Sequence, residues 1–297
     1  MSTLNGVNLA QIAQKSLNVL QARPSLLSRF STSFSPEVSA GGQSTITTRY
    51  VVAPVVQDIA SGYAPTAVST ISRTMTLSNF WGYVVGLTDT EVTESQIDIQ
   101  RLFTGPSAIS TVNKIEALVF ALIINATYAA KETVTIANFD ADVVADLAET
   151  LNTANAPSGN RSLVLLPTAV ASLMKDSSVK SALAYGQGAP IVDGYVGKLH
   201  GFDVIMNSTI PGNSENLYGF ACTPEAIAVA ARGVTTPMNF PGQVENVVEP
   251  ASGLPLQYRY WYNPDAASQP GSHNFSCSCV SGQIAGVPAN LVRLVTA

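Results

Sequence analysis

The chain has 297 residues, of which 46% are hydrophobic and only 12% are charged, whereas about 25% is usual for a soluble domain. A chain with so few charged residues leaves much of its surface neutral, which favours a protein that assembles with other subunits. The alternative is a monomer kept soluble by surface hydroxyl and amide groups. The net charge of −5 argues against generic nucleic-acid binding, and three cysteines do not make a disulfide framework, which fits a reducing cytoplasm.

Residues 1–40 are predicted to form a polar amino-terminal arm with one short helix. One helical face collects Leu9, Ile12, Ala13, Leu17 and Leu20, and Pro24 ends the pattern. Residues 1–50 carry four basic residues and one acidic residue, whereas residues 86–150 carry ten acidic and three basic residues. This asymmetry favours steering of subunits together or binding of a charged partner, with ordinary surface scatter as the alternative.

The same arm shows neither the cationic flank nor the apolar core of a signal peptide. The longest apolar run, residues 117–124, is too short to span a bilayer, so we expect no membrane partner.

Residues 43–85 are predicted to be β-structure. The stretch from Val68 to Ser78 alternates with period two, and Met75 and Leu77 share a face that Arg73 interrupts. Two strands alone are marginally stable in water. We therefore expect this hairpin to lie on a surface supplied by the same chain or by a neighbouring subunit.

A long one-sided helix is predicted over about residues 107–131. Its apolar stripe comprises Val112, Ile115, Leu118, Val119, Leu122, Ile123 and Ala126. Such a helix serves as a spine against which a sheet can pack.

From about residue 138 the pattern alternates between helices and strands. A helix begins near Asp140 and Asp142, where carboxylates favour the helix dipole. The buried strand "RSLVLLP" follows, and Pro167 opens a second helix. Next come a β-turn-β unit around His200 and Gly201 and the strand "LYGFAC".

After that strand, a short helix is predicted to run from Pro224 to Gly233. Three further strands, "LPLQYRYWYN", "HNFSCSCVSG" and "NLVRLV", complete the chain.

The sequence contains no standard catalytic or phosphate-binding motif. Lys198, His200 and Asp203 are close in sequence, but no nucleophile is paired with them. A polar rim is therefore the favoured interpretation of these three residues. We predict no catalytic, cofactor-binding or metal-binding residues and no cofactor.

Two functional roles are conceivable for Cys277 and Cys279. A zinc site would need Cys222 and His273 as further ligands, and a hydrolase would pair one of the two thiols with His273. Residues two apart on a strand share a face in poor geometry for a disulfide. Buried small apolar side chains are the favoured interpretation of both cysteines.

One stretch carries a specific resemblance. A buried strand leads into a helix, a variable stretch follows, and then a Gly-x-Leu-x-Gly-Phe-x-Val turn is followed by an exit with Asn, Ile and Pro. These positions are Pro167, Leu173, Asp176, Gly197, Leu199, Gly201, Phe202, Val204, Asn207, Ile210 and Pro211. With the closing strands after "SGL", the order of elements resembles the major capsid proteins of tailed bacteriophages, whose shell fold is shared with encapsulins.

The resemblance implies an α+β fold in four parts. Residues 1–40 would be the amino-terminal arm and residues 41–97 an extended β-hairpin loop. Residues 98–137 and 241–297 would form a peripheral domain with the spine helix and a β-sheet. Residues 138–240 would form an axial α/β domain.

The implied function is structural and not enzymatic: self-assembly through hexamers and pentamers into an icosahedral shell that encloses a double-stranded DNA genome. The implied partners are other copies of the chain, a portal, a separate scaffolding protein, a decoration protein, and packaged DNA on the inner face. The protein would be found in the virion, and in the host cytoplasm during assembly. An encapsulin-like compartment shell and a phage tail structural protein are the alternatives.

The chain departs from the family in two respects. Some members crosslink subunits through a lysine in the extended loop, but residues 41–97 contain no lysine, so we expect no such crosslink. Some members carry a charged helical pro-segment that acts as scaffold, and this arm is too short and too uncharged for that role. We therefore expect a separate scaffolding protein or unaided assembly. A further hypothesis is that Arg23 and Arg29 touch packaged DNA.

Overall fold

The computed structural model of the chain describes residues 13–15, 18, 26–32, 44–51, 56, 60, 62, 70–94, 106–179, 197–236, 238–249, 253–264 and 271–296. The strands there are β1 (Thr45–Val51), β2 (Thr70–Thr76), β3 (Asn79–Thr88), β4 (Lys131–Thr133), β5 (Arg161–Leu165), β6 (Lys198–Leu199), β7 (Phe202–Met206), β8 (Leu217–Cys222), β9 (Ile227–Arg232), β10 (Gly242–Val248), β11 (Pro255–Asn263), β12 (Ser272–Ala285) and β13 (Leu291–Val295). The α-helices are α1 (Asp89–Glu94), α2 (Pro106–Phe120), α3 (Ala141–Thr153) and α4 (Pro167–Lys175). Short 3-10 helices cover Leu26–Arg29, Ile136–Asn138, Pro224–Ala226 and Pro288–Asn290.

A mixed six-stranded sheet forms the centre of the predicted α/β region. Its strand order is β4-β13-β8-β5-β7-β6, with β5 parallel to β7 and antiparallel to β8. All five residues of β5 are buried, as the run "RSLVL" predicts. The inward faces of α3 and α4 share a core cluster with one face of this sheet. The predicted alternation of helices and strands is therefore confirmed here.

Both helix starts follow their local sequence signals. The Asp140 carboxylate accepts a hydrogen bond from the Val143 backbone N–H at 3.1 Å and caps α3. Pro167 occupies the first position of α4, where its missing N–H costs little.

The second sheet is antiparallel and has five strands. Four of them follow the order β10-β11-β12-β3, and the fifth, β9, also pairs with β12. Strand β12 is 14 residues long, so one edge of it accommodates first β11 and then β9. Helix α2 packs on this sheet with Val112, Ile115 and Val119 buried. The predicted spine helix against a sheet is present.

The spine helix is shorter than predicted. It ends at Phe120, and residues 121–130 form turns and irregular backbone before β4. The Asn213 side-chain amide donates to the carbonyl oxygens of Phe120 and Ile123 at 2.9 and 2.8 Å. These bonds satisfy carbonyls at the helix end, which otherwise lack partners. Of the predicted apolar stripe beyond Phe120, Ile123 is buried in the core without helix, Leu122 is half-buried and Ala126 is exposed.

The predicted helix from Pro224 to Gly233 is also wrong. Only Pro224–Ala226 forms a helical turn, and Ile227–Arg232 is strand β9. Alanine favours helices, but β9 gains a ladder of backbone hydrogen bonds with β12 and is buried along most of its length. Tertiary pairing therefore overrides the local helix propensity.

The extended hairpin is confirmed where it is described. Strands β1 and β2 pair antiparallel from Thr45↔Thr76 to Val51↔Thr70, and most of their connection lies outside the described residues. The base of the hairpin is buried through Ile46, Met75 and Leu77.

The arm is described only in part. Residues 13–15 and 18 are helical, and the rest of the predicted helix of residues 8–21 lies outside the described residues. The four-part division of the chain into domains stays a prediction. The mixed helix and sheet architecture itself is the predicted fold class.

Candidate functional site

Two of the three polar residues at the β6–β7 turn, Lys198 and Asp203, take part in ion pairs. His200 and Gly201 form the predicted turn with positive φ angles of 47° and 85°. The Asp203 carboxylate lies 2.7 Å from the Arg29 guanidinium and 3.6 Å from the Lys198 ammonium. Because two cations engage this carboxylate, the arrangement fits a structural role better than that of a free general base.

The exit after β7 is shaped by its own side chain. The Asn207 carboxamide oxygen accepts hydrogen bonds from the backbone N–H and the hydroxyl of Thr209, at 2.6 and 2.7 Å. Ile210 is buried immediately after this turn. The Asn and Ile of this exit therefore have local structural roles.

The thiols of β12 lie inside the protein. Cys277 and Cys279 are 1% and 0% exposed, and the Thr111 hydroxyl of α2 approaches the Cys277 sulfur at 3.9 Å. Burial raises the pKa of Cys277 to about 11 and that of Cys279 to about 12. A thiol is a nucleophile only when ionised, so both groups are unreactive near neutral pH.

His273 is not paired with a thiol. Its Nε2 lies 3.0 Å from Asp89 Oδ1, and its Nδ1 lies 2.9 Å from the Tyr260 hydroxyl. The Tyr262 hydroxyl donates to Asp89 Oδ2 at 2.7 Å. Burial, followed by the Asp89 charge, raises the pKa of Tyr260. This cluster ties the first residue of α1 to β11 and β12.

Asp89, Tyr260 and Tyr262 are partners of His273 that no sequence motif predicted. Period two along "QYRYWYN" places the two tyrosines on one face of β11, which is a usable signal. Nothing in the sequence brings Asp89 to that face, because β3, which precedes α1, is placed near β11 only through the pairing of both strands with β12.

The four proposed zinc ligands are divided between sheets. Cys222 lies in β8 of the six-stranded sheet, whereas Cys277, Cys279 and His273 lie in β12 of the other. Within the described ranges no group of three or more His, Cys, Asp or Glu side chains is arranged to hold a metal ion. The absence of a metal and of a catalytic residue stays a prediction.

The part of the arm that the structure describes is attached to the body of the protein. The Leu26 backbone N–H donates to the buried Glu116 carboxylate of α2 at 2.9 Å. Ser31 forms a parallel bridge with Ala228 of β9. Arg29, which we considered as a DNA contact, is engaged by Asp203, and Arg23 lies outside the described residues.

A buried arginine ties the end of the spine helix to the six-stranded sheet. Arg293 of β13 is 1% exposed, forms an ion pair with Glu215, and donates to the Tyr128 carbonyl oxygen at 2.6 Å. It also donates to the Asn125 side-chain oxygen at 2.8 Å. The loop after α2 is therefore fixed by contacts distant in sequence.

Residues 70–267 match the phage capsid protein family, which is about two thirds of the chain. The chain therefore belongs to the phage capsid protein family. That membership gives it a structural role in the capsid shell of a virion. A tail component and a cargo compartment are not favoured by this match.

Solved structures show the same fold at low sequence identity. A structure entitled "Mycobacterium phage Che8" is 16% identical with a TM-score of 0.65, covering 91% of this chain and 90% of that one. The capsid structure of cyanophage P-SCSP1u is 14% identical with a TM-score of 0.64, covering 91% and 86%. A virus-like particle from Pyrococcus furiosus is 15% identical with a TM-score of 0.56, covering 96% and 98%.

No curated protein matches the chain significantly. Among the described helices none has the length and apolar character needed to cross a membrane.

Proposed function

We propose that the chain is the major capsid protein of a tailed bacteriophage, which self-assembles through hexamers and pentamers into an icosahedral shell around a double-stranded DNA genome. The observation that carries the proposal is the family match over residues 70–267. The likeness to phage structures over about nine tenths of the chain supports it.

The exposed hairpin supports contact between subunits. Among the described residues of the hairpin, Ser72, Arg73 and Thr74 of β2 are exposed, whereas Ile46 and Met75 at its base are buried. Because two strands alone are marginally stable in water, a neighbouring subunit is the natural support for the outer part.

The chemistry of the described residues supports a non-enzymatic role. Cys277, Cys279 and His273, which the hydrolase alternative requires, are buried or engaged by other side chains. Lys198 and Asp203 are joined in one ion-pair cluster with Arg29.

The partners beyond other copies of the chain remain part of the proposal. They are a portal, a separate scaffolding protein, a decoration protein and packaged DNA on the inner face, with assembly in the host cytoplasm. Because Asp203 already neutralises Arg29, we now assign the DNA contact chiefly to Arg23. Replacing Arg23 by Gln is expected to reduce DNA retention in assembled particles, and unchanged retention would remove the DNA contact.

The decisive experiment is negative-stain electron microscopy of the purified chain, alone and with its neighbouring genes co-expressed. Closed icosahedral particles, or rings that close when a scaffold is supplied, are the expected result. Shells filled with a protein cargo instead of DNA would favour the compartment alternative, and tubes would favour a tail component. A small monodisperse species under every condition would contradict the proposal.

Covalent crosslinking through the extended loop is not expected, since residues 41–97 contain no lysine. Assembled particles boiled in detergent should therefore give a single band at the mass of one chain. A ladder of covalent oligomers on the same gel would contradict this prediction.

A further inference from the structure

Residues 26–32, here called the strap, contact four separate elements of the protein. At one end, Leu26 N–H donates to Glu116 of α2 at 2.9 Å. At the other end, Ser31 N–H donates to the Ile227 carbonyl oxygen at 3.1 Å, and Val229 N–H donates to the Ser31 carbonyl oxygen at 2.9 Å. The strap therefore joins the spine helix to β9.

Between these ends the strap reaches the six-stranded sheet. Leu27 and Phe30 are buried, and the Phe30 ring stacks on Phe220 of β8 with centroids 6.5 Å apart. The Arg29 guanidinium forms its 2.7 Å ion pair with Asp203 of β7. A segment of seven residues thus contacts both the spine helix and two strands of the six-stranded sheet, β7 and β8.

The ion pair is the part of the strap that responds to solution conditions. The side chains of Arg29 and Asp203 are 38% and 25% exposed, so water and salt reach them. Pairs at this exposure are screened at high ionic strength, whereas the apolar contacts of Leu27 and Phe30 are not.

A cysteine lies on the face of the six-stranded sheet that the strap contacts. In the strand register Asp203 stands beside Ser162, and Ser162 stands beside Cys222, so the three form one cross-strand row. Cys222 is 0% exposed and belongs to the same core cluster as Leu27 and Phe30. Burial raises its pKa to about 12, and the nearby Arg29 charge partly opposes this rise.

We propose that residues 26–32 are a reversible strap that holds the spine helix against the six-stranded sheet, with the Arg29–Asp203 ion pair as its clasp. While the strap is closed, Cys222 is covered and the angle between α2 and the sheet is fixed. Opening uncovers Cys222 and frees the two parts to adopt a second relative placement. Its use in fitting one sequence into hexamers and pentamers rests on the proposed function.

The test follows alkylation of the full-length chain by iodoacetamide at each cysteine, read by peptide mass spectrometry. Replacing Arg29 by Ala is expected to raise the labelling rate of Cys222 about two- to fivefold, the range for a partly exposed ion pair. Cys277, which is 1% exposed under α2, is the internal reference and should not change. The ratio of the two rates separates strap opening from global unfolding.

Three matched variants complete the test. Asp203→Asn should raise the Cys222 rate as Arg29→Ala does, and the double variant should add nothing further. Arg29→Lys, which keeps the charge, should restore most of the protection. Lys198→Ala is the control and should leave the labelling rate of Cys222 unchanged. Lys198 also lies 3.6 Å from Asp203, but it is 81% exposed and is not part of the strap.

Salt gives an independent test in the unmodified chain. Raising sodium chloride from about 0.05 M to about 0.5 M should increase Cys222 labelling in the wild type and leave Arg29→Ala unchanged. The proposal is overturned if Cys222 stays unlabelled in every variant, or if Cys222 and Cys277 always react at one rate. Microscopy of the same samples tests shell formation separately, so failure of the strap and failure of the proposed function are distinguishable.

Discussion

Arg293 is the clearest case of a single residue that fixes the arrangement of several elements. It is almost fully buried, yet its guanidinium is satisfied by Glu215, Asn125 and the Tyr128 carbonyl oxygen. A buried charge is tolerated only when it is paired and hydrogen-bonded. Arg293 therefore fixes the loop after the spine helix in one position over β13.

Replacing Arg293 by Ala should lower the free energy of unfolding by about 3–5 kcal/mol. Glu215 is then left without its cation, and the hydrogen bonds to Tyr128 and Asn125 are lost as well. Urea denaturation of the dissociated subunit measures the change. Arg73→Ala, which alters an exposed arginine of β2, is the control and should stay within about 0.5 kcal/mol of the wild type. Equal losses for the two variants would contradict the assigned role.

The buried thiols make the free energy of unfolding depend on pH in the alkaline range. Burial raises the pKa of Cys279 from 9.0 to about 12, so the unfolded chain releases this proton at a lower pH than the folded chain does. The folded state then holds more protons, and stability falls as pH rises above about 9. Below that value the thiol is protonated in both states and contributes no pH dependence.

Between pH 8.5 and 10.5 the wild type should lose about 1–2 kcal/mol more unfolding free energy than Cys279→Ala does. Urea midpoints measured across this range for both proteins give the two slopes, and tyrosine ionisation cancels in the difference. Parallel slopes would show that Cys279 ionises in the folded protein as it does in the unfolded chain.

At the scale of elements, the base of the hairpin explains how two long strands are held. Ile46, Met75 and Leu77 pack against Ala230 of β9 and Val280 of β12. A Cβ on Gly282 would stand 2.7 Å from the Thr76 carbonyl oxygen, so glycine is needed for this close approach. The hairpin is therefore anchored at its base by apolar burial.

Met75→Ala should cost about 2–4 kcal/mol of unfolding free energy, since a side chain that is 1% exposed is truncated and leaves a cavity. Limited proteolysis should then cut the hairpin faster than it cuts the rest of the chain. Thr74→Ala on the exposed face of the same strand is the matched control. Unchanged stability in Met75→Ala would show that the hairpin base is not anchored by this cluster.

At the scale of the whole molecule, one core connects both large sheets. The cluster that contains Val119 of α2 includes Phe220 of the six-stranded sheet and Phe275 of the five-stranded sheet, together with Phe30 of the strap. Loss of this core exposes both sheets at once. The spine helix therefore couples the two halves of the fold.

The dissociated subunit should consequently unfold in one cooperative transition. Trp81 and Trp261 both lie in the five-stranded sheet, so their fluorescence reports on that half, whereas far-ultraviolet circular dichroism reports on all strands and helices. The two urea curves should coincide. A separate circular dichroism transition with no change in fluorescence would mean that the six-stranded sheet unfolds independently.

The elements whose signals are local could be predicted from the order of the amino acids. Asp140 capping α3, Pro167 opening α4, the fully apolar run of β5 and the turn at Gly201 are each set by a few neighbouring residues. The motifs around these elements were also sufficient to recognise the family.

The features that depend on contacts distant in sequence become visible only in the folded protein. Strand β9 and the end of α2 at Phe120 contradict local helical patterns, because pairing with β12 and capping by Asn213 supply hydrogen bonds that outweigh propensity. The pairs Arg29–Asp203 and Asp89–His273 join residues more than 170 positions apart. No local pattern encodes such pairs, since their energy is gained only after the chain has folded.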